Sequence, residues 1–532
     1  IFSKIYPEMR ISHPLHLLVF TIVMLVPFQP SAGQKAGRAG RLAVSRMERW
    51  VSPVAKGIMP ERFVIDSVKV DEEKKEVNIW FPVTASYNPI REETVSELES
   101  SVRSALGRKF IGYKLNLISN GFSLGSLVPN YFRSMMPEDG DRIAPAAGEP
   151  LTLIRRTNAV SSSKGLEGRH IALWHSHGYY FDMPLDRWEW QRAKLFGSVE
   201  DLSVMAYVLQ YLTPMLENAG AVVFLPRERD IQVNEVIVDN DITEGASRFV
   251  LQIPGEPETA GRGFLPRDTL FTGDNPFLAG TSLKISGGSV LFVPEIPERG
   301  CYGVTVSYPQ IPGYKGKAIY KVTHTGGVTE FIVDQSVGGG TWLWLGSFIF
   351  DTGADPSKGS VTLSGMDGSS ALADAVRFGG GMGNVARRPA ESLISNQWSL
   401  NAGSQLASSE PALPAREYSW KLSGKPRFLE GARYWLQYAG MPDSLVYSPN
   451  KGKNDYNDDY MSRAEWVNYL LRRPDTTSAG GLGIPIDLSL AFHTDAGVTP
   501  DDSVIGTLGI YSTITNGGRF PDGTSRLASR DL

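Results

Sequence analysis

Histidines are the side chains in this sequence that could do chemistry, because they are few and clustered. The 532 residues contain seven, of which three lie between positions 170 and 177, while His493 lies far downstream. Two imidazoles and one carboxylate, from His177, His493 and Glu200, suit Zn²⁺ and leave a fourth position for water. Bound zinc lowers the pKa of that water toward ~7 and polarises a carbonyl group, so this set suits metal-assisted hydrolysis.

Short strands and one helix must position these three residues. Apolar runs before His177 and His493 predict strands that end at each histidine, and Glu200 opens a segment whose apolar residues recur at helical spacing. A further apolar strand follows the helix, and this order predicts a βαβ unit with a parallel sheet. Side chains at the carboxyl ends of parallel strands share one rim. The predicted strands are residues 170–174, 221–225 and 485–492.

The same features also occur without a metal. A histidine at a strand end is commonly just a hydrogen-bonded polar residue. An acidic residue in the first turn of a helix is favourable to the helix dipole in any protein. The metal site is therefore one interpretation of these residues, beside a purely structural one.

The hydrophobic periodicity divides the chain into several regions. Residues 264–380 are short β runs broken by Gly and Pro, which is typical of a β-sandwich. We predict an α/β fold, with an amidase-like mixed or parallel sheet and flanking helices, interrupted by this inserted β-sandwich and preceded by a small N-terminal α+β domain. The predicted regions are a signal peptide at 1–33, the N-terminal domain at 34–160, a first α/β half at 165–260, the sandwich at 262–385, a linker at 386–416 and a second α/β half at 417–532.

The first residues predict export. Met9 is a plausible start, Arg10 supplies a positive charge, and the apolar run at 17–26 is shorter than the ~20 residues of a membrane span. Small residues at 31–33 complete a signal peptide, with an uncleaved anchor as the alternative. After cleavage no membrane span is expected, which predicts a periplasmic, cell-envelope or extracellular protein.

Charge and cysteine content exclude other classes of protein. The formal net charge of −4 gives no reason to expect nucleic acid as a partner. Cys301 is the single cysteine, so no internal disulfide and no thiolate zinc site is expected.

Short blocks of sequence surround the candidate ligands in a fixed order. They are Ser176-His177-Gly178, Glu200, Gly220, the loop at 226–230, the segment at 459–463 and the strand end at 489–495. In this order they resemble the zinc-dependent N-acetylmuramoyl-L-alanine amidases. The resemblance implies an exported zinc amidohydrolase that cuts the amide between N-acetylmuramic acid and L-Ala of peptidoglycan, with His177, Glu200 and His493 as metal ligands.

The sequence also departs from that family. His175 stands where the family has Pro, and Asp495 where it has Asn. The resemblance implies that His175, Arg227, Arg463 and Asp495 support the ligands or contact substrate, although a loop histidine bonded to backbone is an equal interpretation of His175. The catalytic Glu of the family is missing, since no Glu follows His493. We therefore expect it beyond Leu532, in a chain truncated at its C-terminus.

The inserted region has a resemblance of its own. Residues 313–380, including Tyr314–His324, Gly338–Trp342 and Ala373–Phe378, are similar to the golvesin-like domain of proteins named xanthan lyases. This resemblance implies a jelly-roll-like sandwich that binds carbohydrate, and it predicts a structural role for His324. Any exposed aromatic residues there could stack on sugar rings, although about half should belong to the core. The candidates are Tyr302, Tyr308, Trp342 and Trp344.

Three functions therefore remain open. The first is the zinc amidase, whose partner is peptidoglycan or another cell-envelope glycan. The second is a polysaccharide lyase of the xanthan type, which abstracts a proton next to a uronate carboxylate and needs no zinc hydrolysis. The third is a non-catalytic protein that binds a cell-wall or other glycan.

Overall fold

The structure, a computed structural model, describes most of the chain. The described residues are 37–50, 64–144, 151–157, 165–194, 197–389, 420–447, 449–451, 453–474, 480–494, 506–507 and 509–532. They fall into two compact units, Ile1–Ala147 with Gly506–Leu532, and Gly148–Ile505. The predicted signal peptide and residues 390–416 of the predicted linker lie outside the described residues, and the domain boundaries remain predictions. No helix among the described residues is long and apolar enough to cross a membrane.

The first unit contains a four-stranded sheet in the order β1-β2-β3-β4, in which β2 and β3 are parallel. Its main helix, α2, buries four apolar residues at spacings of three and four, as a helix packed on one face must. The elements are α1 Arg38–Met47, β1 Ser67–Asp71, β2 Glu76–Phe81, α2 Glu92–Leu106, β3 Lys114–Ser119, β4 Phe122–Ser123 and a short helix at Ala528–Asp531.

The second unit begins with the strands and helices around the candidate ligands. They are β5 Ile154–Arg156, β6 His170–His175, β7 Tyr179–Asp182, β8 Arg187–Trp190, α3 Glu200–Tyr207, α4 Thr213–Asn218 and β9 Val222–Phe224. A π-helical segment, Val208–Leu212, joins α3 to α4. Pro214 lies in the first turn of α4, where its missing N–H group costs least. Apolar residues of α3 and the π-helical segment pack on β6 and β9 in one small core.

A β-sandwich makes up the middle of this unit. Its larger sheets have the orders β10-β22-β16-β19 and β11-β15-β20-β17-β18-β5, and the smaller ones are β12-β14-β21 and β13-β23. The strands are β10 Val236–Asp239, β11 Arg248–Gln252, β12 Glu258–Gly263, β13 Leu270–Thr272, β14 Gly280–Ile285, β15 Ser289–Val293, β16 Gly300–Val306, β17 Lys317–His324, β18 Gly327–Asp334, β19 Leu343–Phe350, β20 Ser360–Gly365, β21 Ala371–Ala373, β22 Ala375–Phe378 and β23 Val385–Pro389.

The last part of the second unit returns to the strands around the candidate ligands. Three helices come first, and β24 then pairs in parallel with β6, which pairs in parallel with β9. The result is a three-stranded parallel sheet in the order β24-β6-β9. The elements are α5 Ala432–Tyr438, α6 Asp443–Val446, α7 Asp455–Leu471 and β24 Leu488–Phe492.

The predicted α/β fold class was wrong. Most strands of the described residues lie in antiparallel sheets, and the parallel sheet that holds the candidate ligands has only three strands. The described residues are therefore mainly β, and they contain no amidase-like α/β sheet. The error has a physical reason, since a βαβ pattern is local and does not specify how many further strands join the sheet.

Candidate metal centre

The three predicted ligands lie at one end of the parallel sheet. Phe492 of β24 pairs with His175 of β6, so the two strands end at the same level. His493 follows β24 directly, His177 follows β6 after one residue, and Glu200 is the first residue of α3. The carboxyl ends of the two strands and the start of the helix thus converge on one place.

The turn after β6 is held in one conformation. Ser176 has a φ of 59°, in the left-handed region, and its N–H group donates to the Phe492 carbonyl at 2.8 Å. A Cβ atom on Gly178 would lie 2.7 Å from the backbone of Glu430 and Gly431, so only glycine fits there. The turn therefore fixes the backbone on both sides of His177.

The donor atoms of His177, Glu200 and His493 are close enough to share one ion. One ligand atom from each residue can be chosen so that all three lie within 4.8 Å of one another. The His493 Nδ1 atom is 3.2 Å from Glu200 Oε1, and the two imidazole centres are 4.6 Å apart. Ligands of tetrahedral zinc, with bonds of about 2.0–2.1 Å, are spaced at about 3.3–3.4 Å, so small side-chain shifts would complete the geometry.

Polar neighbours orient these donors. The buried Asp201 carboxylate accepts a hydrogen bond from the backbone N–H group of His177 at 3.0 Å. Its Oδ1 atom also lies 3.2 Å from Nδ1 of the His177 imidazole. The Ser176 hydroxyl donates to Glu200 Oε1 at 2.8 Å. Burial acts to raise the pKa of Glu200, but hydrogen bonds from His493 and Ser176 outweigh it and hold that pKa at about 2. Burial lowers the pKa of His177, which favours the neutral imidazole that a metal requires.

A guanidinium group borders the cluster. Arg192 Nη2 lies 3.0 Å from His177 Nε2, and Nε lies 3.4 Å from Glu200 Oε2. The third nitrogen, Nη1, donates to the Tyr456 hydroxyl at 2.7 Å. Because a guanidinium only donates, His177 Nε2 must accept, and the imidazole proton lies on Nδ1, which faces the Ser176 hydroxyl at 2.8 Å and Asp201 Oδ1 at 3.2 Å.

The other predicted site residues contact the backbone near the cluster. Arg227 donates to the His175 carbonyl at 2.9 Å, and Arg463 donates to the Ser176 carbonyl at 2.8 Å. His175 is fully buried and neither of its ring nitrogens has a hydrogen-bond partner among the described residues. Burial and then the charges of nearby arginines hold its pKa well below the ordinary value. Asp495 lies outside the described residues.

Sequence reasoning missed three neighbours of the cluster. Asp201 directly follows Glu200 in the first turn of α3, and that adjacency could have identified it. Arg192 and Tyr456 carry no comparable signal. They are 264 positions apart in the chain and meet only through the fold.

The candidate sugar-stacking aromatics of the sandwich are mostly core residues. Tyr302, Tyr308 and Trp342 are buried, with at most 7% of their surface exposed, while Trp344 is half-buried. His324 bonds to the Thr329 hydroxyl at 3.0 Å and accepts a backbone N–H group, which is a structural arrangement.

Comparison with known proteins identifies the sandwich region. Residues 273–380 match the family described as Golvesin C-terminal domain. The chain is 31% identical over 153 residues, 28% of its length, to a protein named xanthan lyase from Bacillus sp. (strain GL1), and this match spans only 15% of that relative. A solved structure of Paenibacillus xanthan lyase aligns at 23% identity over 27% of this chain and 13% of that one, with a TM-score of 0.21.

The amidase prediction was wrong, because these similarities are to a Golvesin C-terminal domain and to a protein named xanthan lyase. The blocks that suggested an amidase are short, and strand-end histidines and helix-opening acids recur in unrelated folds. What the comparisons do show is a golvesin-type domain at residues 273–380, within a longer chain.

Proposed function

We propose that this chain is an exported protein that binds a cell-surface polysaccharide and holds a zinc ion between His177, Glu200 and His493. The golvesin-type domain and the relative named xanthan lyase support the glycan part. The observation that carries the zinc part is the convergence of two imidazoles and one carboxylate within 4.8 Å.

The donor set and its surroundings fit zinc. Ser176 and Asp201 lie beside Nδ1 of His177, which would leave Nε2 to bind the metal, as in the carboxylate–histidine arrangement common at zinc sites. Arg192 contacts the same donors, and repulsion between two cations favours its withdrawal when zinc binds. Zinc would supply a Lewis acid for an oxygen of the bound glycan.

Zinc content tests the metal part of this proposal. We expect one zinc per chain in the unaltered protein, and loss of most of it in His177→Ala and His493→Ala. His324→Ala is the matched control, since that histidine lies in β17 and its hydrogen bonds among the described residues stay within its own hairpin. Full zinc in both ligand variants would overturn the assignment.

Sedimentation with polysaccharide tests the glycan part. We expect the full chain to co-sediment with purified cell-wall sacculi or with an insoluble extracellular polysaccharide. A chelator should weaken this binding if the metal contacts the glycan. Failure to co-sediment with any of these polymers, with or without zinc, would contradict a glycan-binding function.

A polysaccharide lyase is the second candidate, and the cluster of Tyr456, Arg192 and His177 favours it. Arg192 lies within hydrogen-bond distance of both partners, and a guanidinium can neutralise a uronate carboxylate. Tyr456 would remove the proton beside that carboxylate, the electron pair would form a carbon–carbon double bond as the glycosidic C–O bond breaks, and the same tyrosine would return the proton to the leaving oxygen. New ultraviolet absorbance from a uronate polymer, resistant to chelator and lost in Tyr456→Phe, would support a lyase over a zinc-dependent binder.

A further inference from the structure

Arg192 contacts two of the three candidate zinc ligands. Its Nη2 atom donates to His177 Nε2 at 3.0 Å, and its Nε atom lies 3.4 Å from Glu200 Oε2. Nε2 is also the atom that His177 would offer to a metal, because Nδ1 of that ring faces Ser176 and Asp201. A side chain of the protein itself therefore uses a donor atom that zinc would need.

A guanidinium group and a zinc ion cannot both use His177 Nε2. This ring nitrogen has a single lone pair, which either accepts a hydrogen bond or binds a metal. A zinc–nitrogen bond is about 2.0–2.1 Å long, so a guanidinium nitrogen held 3.0 Å from Nε2 stands inside the space that the ion needs. Glu200 is less restrictive, because a carboxylate has several lone pairs. The histidine is therefore where binding of one cation excludes the other.

The structure holds Arg192 at these ligands and also leaves it a way out. Its Nη1 atom donates to the Tyr456 hydroxyl at 2.7 Å, which fixes the guanidinium group beside the donors. The Arg192 side chain is nevertheless 39% exposed, and the next two residues, Ala193 and Lys194, are exposed as well. Withdrawal of Arg192 into solvent would therefore break these contacts without disturbing the packed core.

We propose that Arg192 is a built-in competitor of zinc, which occupies the donors in the metal-free protein and weakens zinc binding until the ion displaces it. In the metal-free protein its positive charge compensates the largely buried Glu200 carboxylate. The consequence is a site whose zinc occupancy follows the free zinc concentration. The proposal rests on the zinc part of the proposed function and adds regulation of that same site.

Chemical labelling of the unaltered full chain tests the displacement directly. Phenylglyoxal reacts with accessible arginines, and mass spectrometry of the resulting peptides identifies each labelled position. We expect the labelling of Arg192 to rise when zinc is added to chelator-treated protein, because the guanidinium group leaves its partners. Arg187 serves as the internal reference, since it pairs with Glu189 rather than with a candidate ligand. Labelling of Arg192 that stays constant or falls with zinc would overturn the proposal.

The zinc Kd of a variant tests the competition independently. Arg192→Met keeps the apolar stem of the side chain and removes the guanidinium group. We expect it to bind zinc roughly tenfold more tightly, because a charge-assisted hydrogen bond at a partly exposed site no longer has to be broken. Arg187→Met is the matched control, because it removes the same charge from the exposed first residue of β8.

The possible results separate this proposal from the one on which it rests. An unchanged or weaker zinc Kd in Arg192→Met would overturn the competition, and a weaker one would make Arg192 a support for the ligands. Equal tightening in Arg187→Met would also overturn it, because net charge alone would then explain the effect. Failure of the unaltered protein to bind zinc would instead contradict the proposed metal site itself.

Discussion

Replacing Asp201 with asparagine tests how the candidate metal centre holds its first histidine. The Asp201 side chain is fully buried. It accepts a hydrogen bond from the backbone N–H group of His177 at 3.0 Å and lies 3.2 Å from Nδ1 of the His177 imidazole. Asparagine has the same shape without the charge. Its NH₂ group would replace Oδ2, which has no hydrogen-bond partner among the described residues in the unaltered protein either. The change therefore removes the negative charge beside Nδ1 and loosens the imidazole.

The size of this effect follows from those contacts. Loss of a carboxylate that orients a metal-binding histidine costs roughly 10- to 100-fold in metal affinity, about 1.4–2.7 kcal/mol. We therefore expect a weaker zinc Kd, measured by competition with a chromophoric chelator.

Asp268→Asn is the control for this prediction, because Asp268 is an exposed carboxylate of the same unit. It should leave the zinc Kd unchanged. The same zinc Kd in Asp201→Asn and in the unaltered protein would refute the idea that Asp201 orients His177.

Two further predictions concern stability. Gly178→Ala should lower the free energy of unfolding by about 2–3 kcal/mol, because the new Cβ would lie 2.7 Å from the backbone of Glu430. Gly255→Ala is the control in denaturant titrations, because a Cβ atom there would have no other atom within 4 Å. Equal losses of stability in the two variants would refute the steric argument. Burial, and then the charge of Asp374, raises the pKa of Asp239 to about 9. The folded state therefore keeps a proton that the unfolded state loses above pH ~4, and stability falls as pH rises toward 9, with a limiting slope of about 1.4 kcal/mol per pH unit. Asp239→Asn should be more stable than the unaltered protein by a margin that grows from pH 5 to 8, and a margin independent of pH would contradict that shift.

The sequence located the candidate ligands because each follows a recognisable end of an element. His177 and His493 come after apolar strands, and Glu200 opens an apolar helix. Their convergence follows from one parallel strand pairing, β24 with β6. Neither Arg192 nor Tyr456 was predictable, because their contact depends on how a loop and α7 pack in three dimensions.

The extent of the parallel sheet was not predictable from the residues. Strand β9 looks like an internal buried strand in the sequence, since its residues are all apolar. In the structure it is the last strand of its sheet among the described residues. Local patterns define strands, whereas sheet order depends on which distant segments pair.

Zinc K-edge X-ray absorption of the full chain tests the central claim most directly. We predict a zinc ion with nitrogen and oxygen ligands at about 2.0–2.1 Å, and with the multiple-scattering signal of two imidazoles. That signal should fall to one imidazole in His493→Ala. A zinc ion with no imidazole ligand, or an unchanged signal in that variant, would contradict a metal centre built from His177, Glu200 and His493.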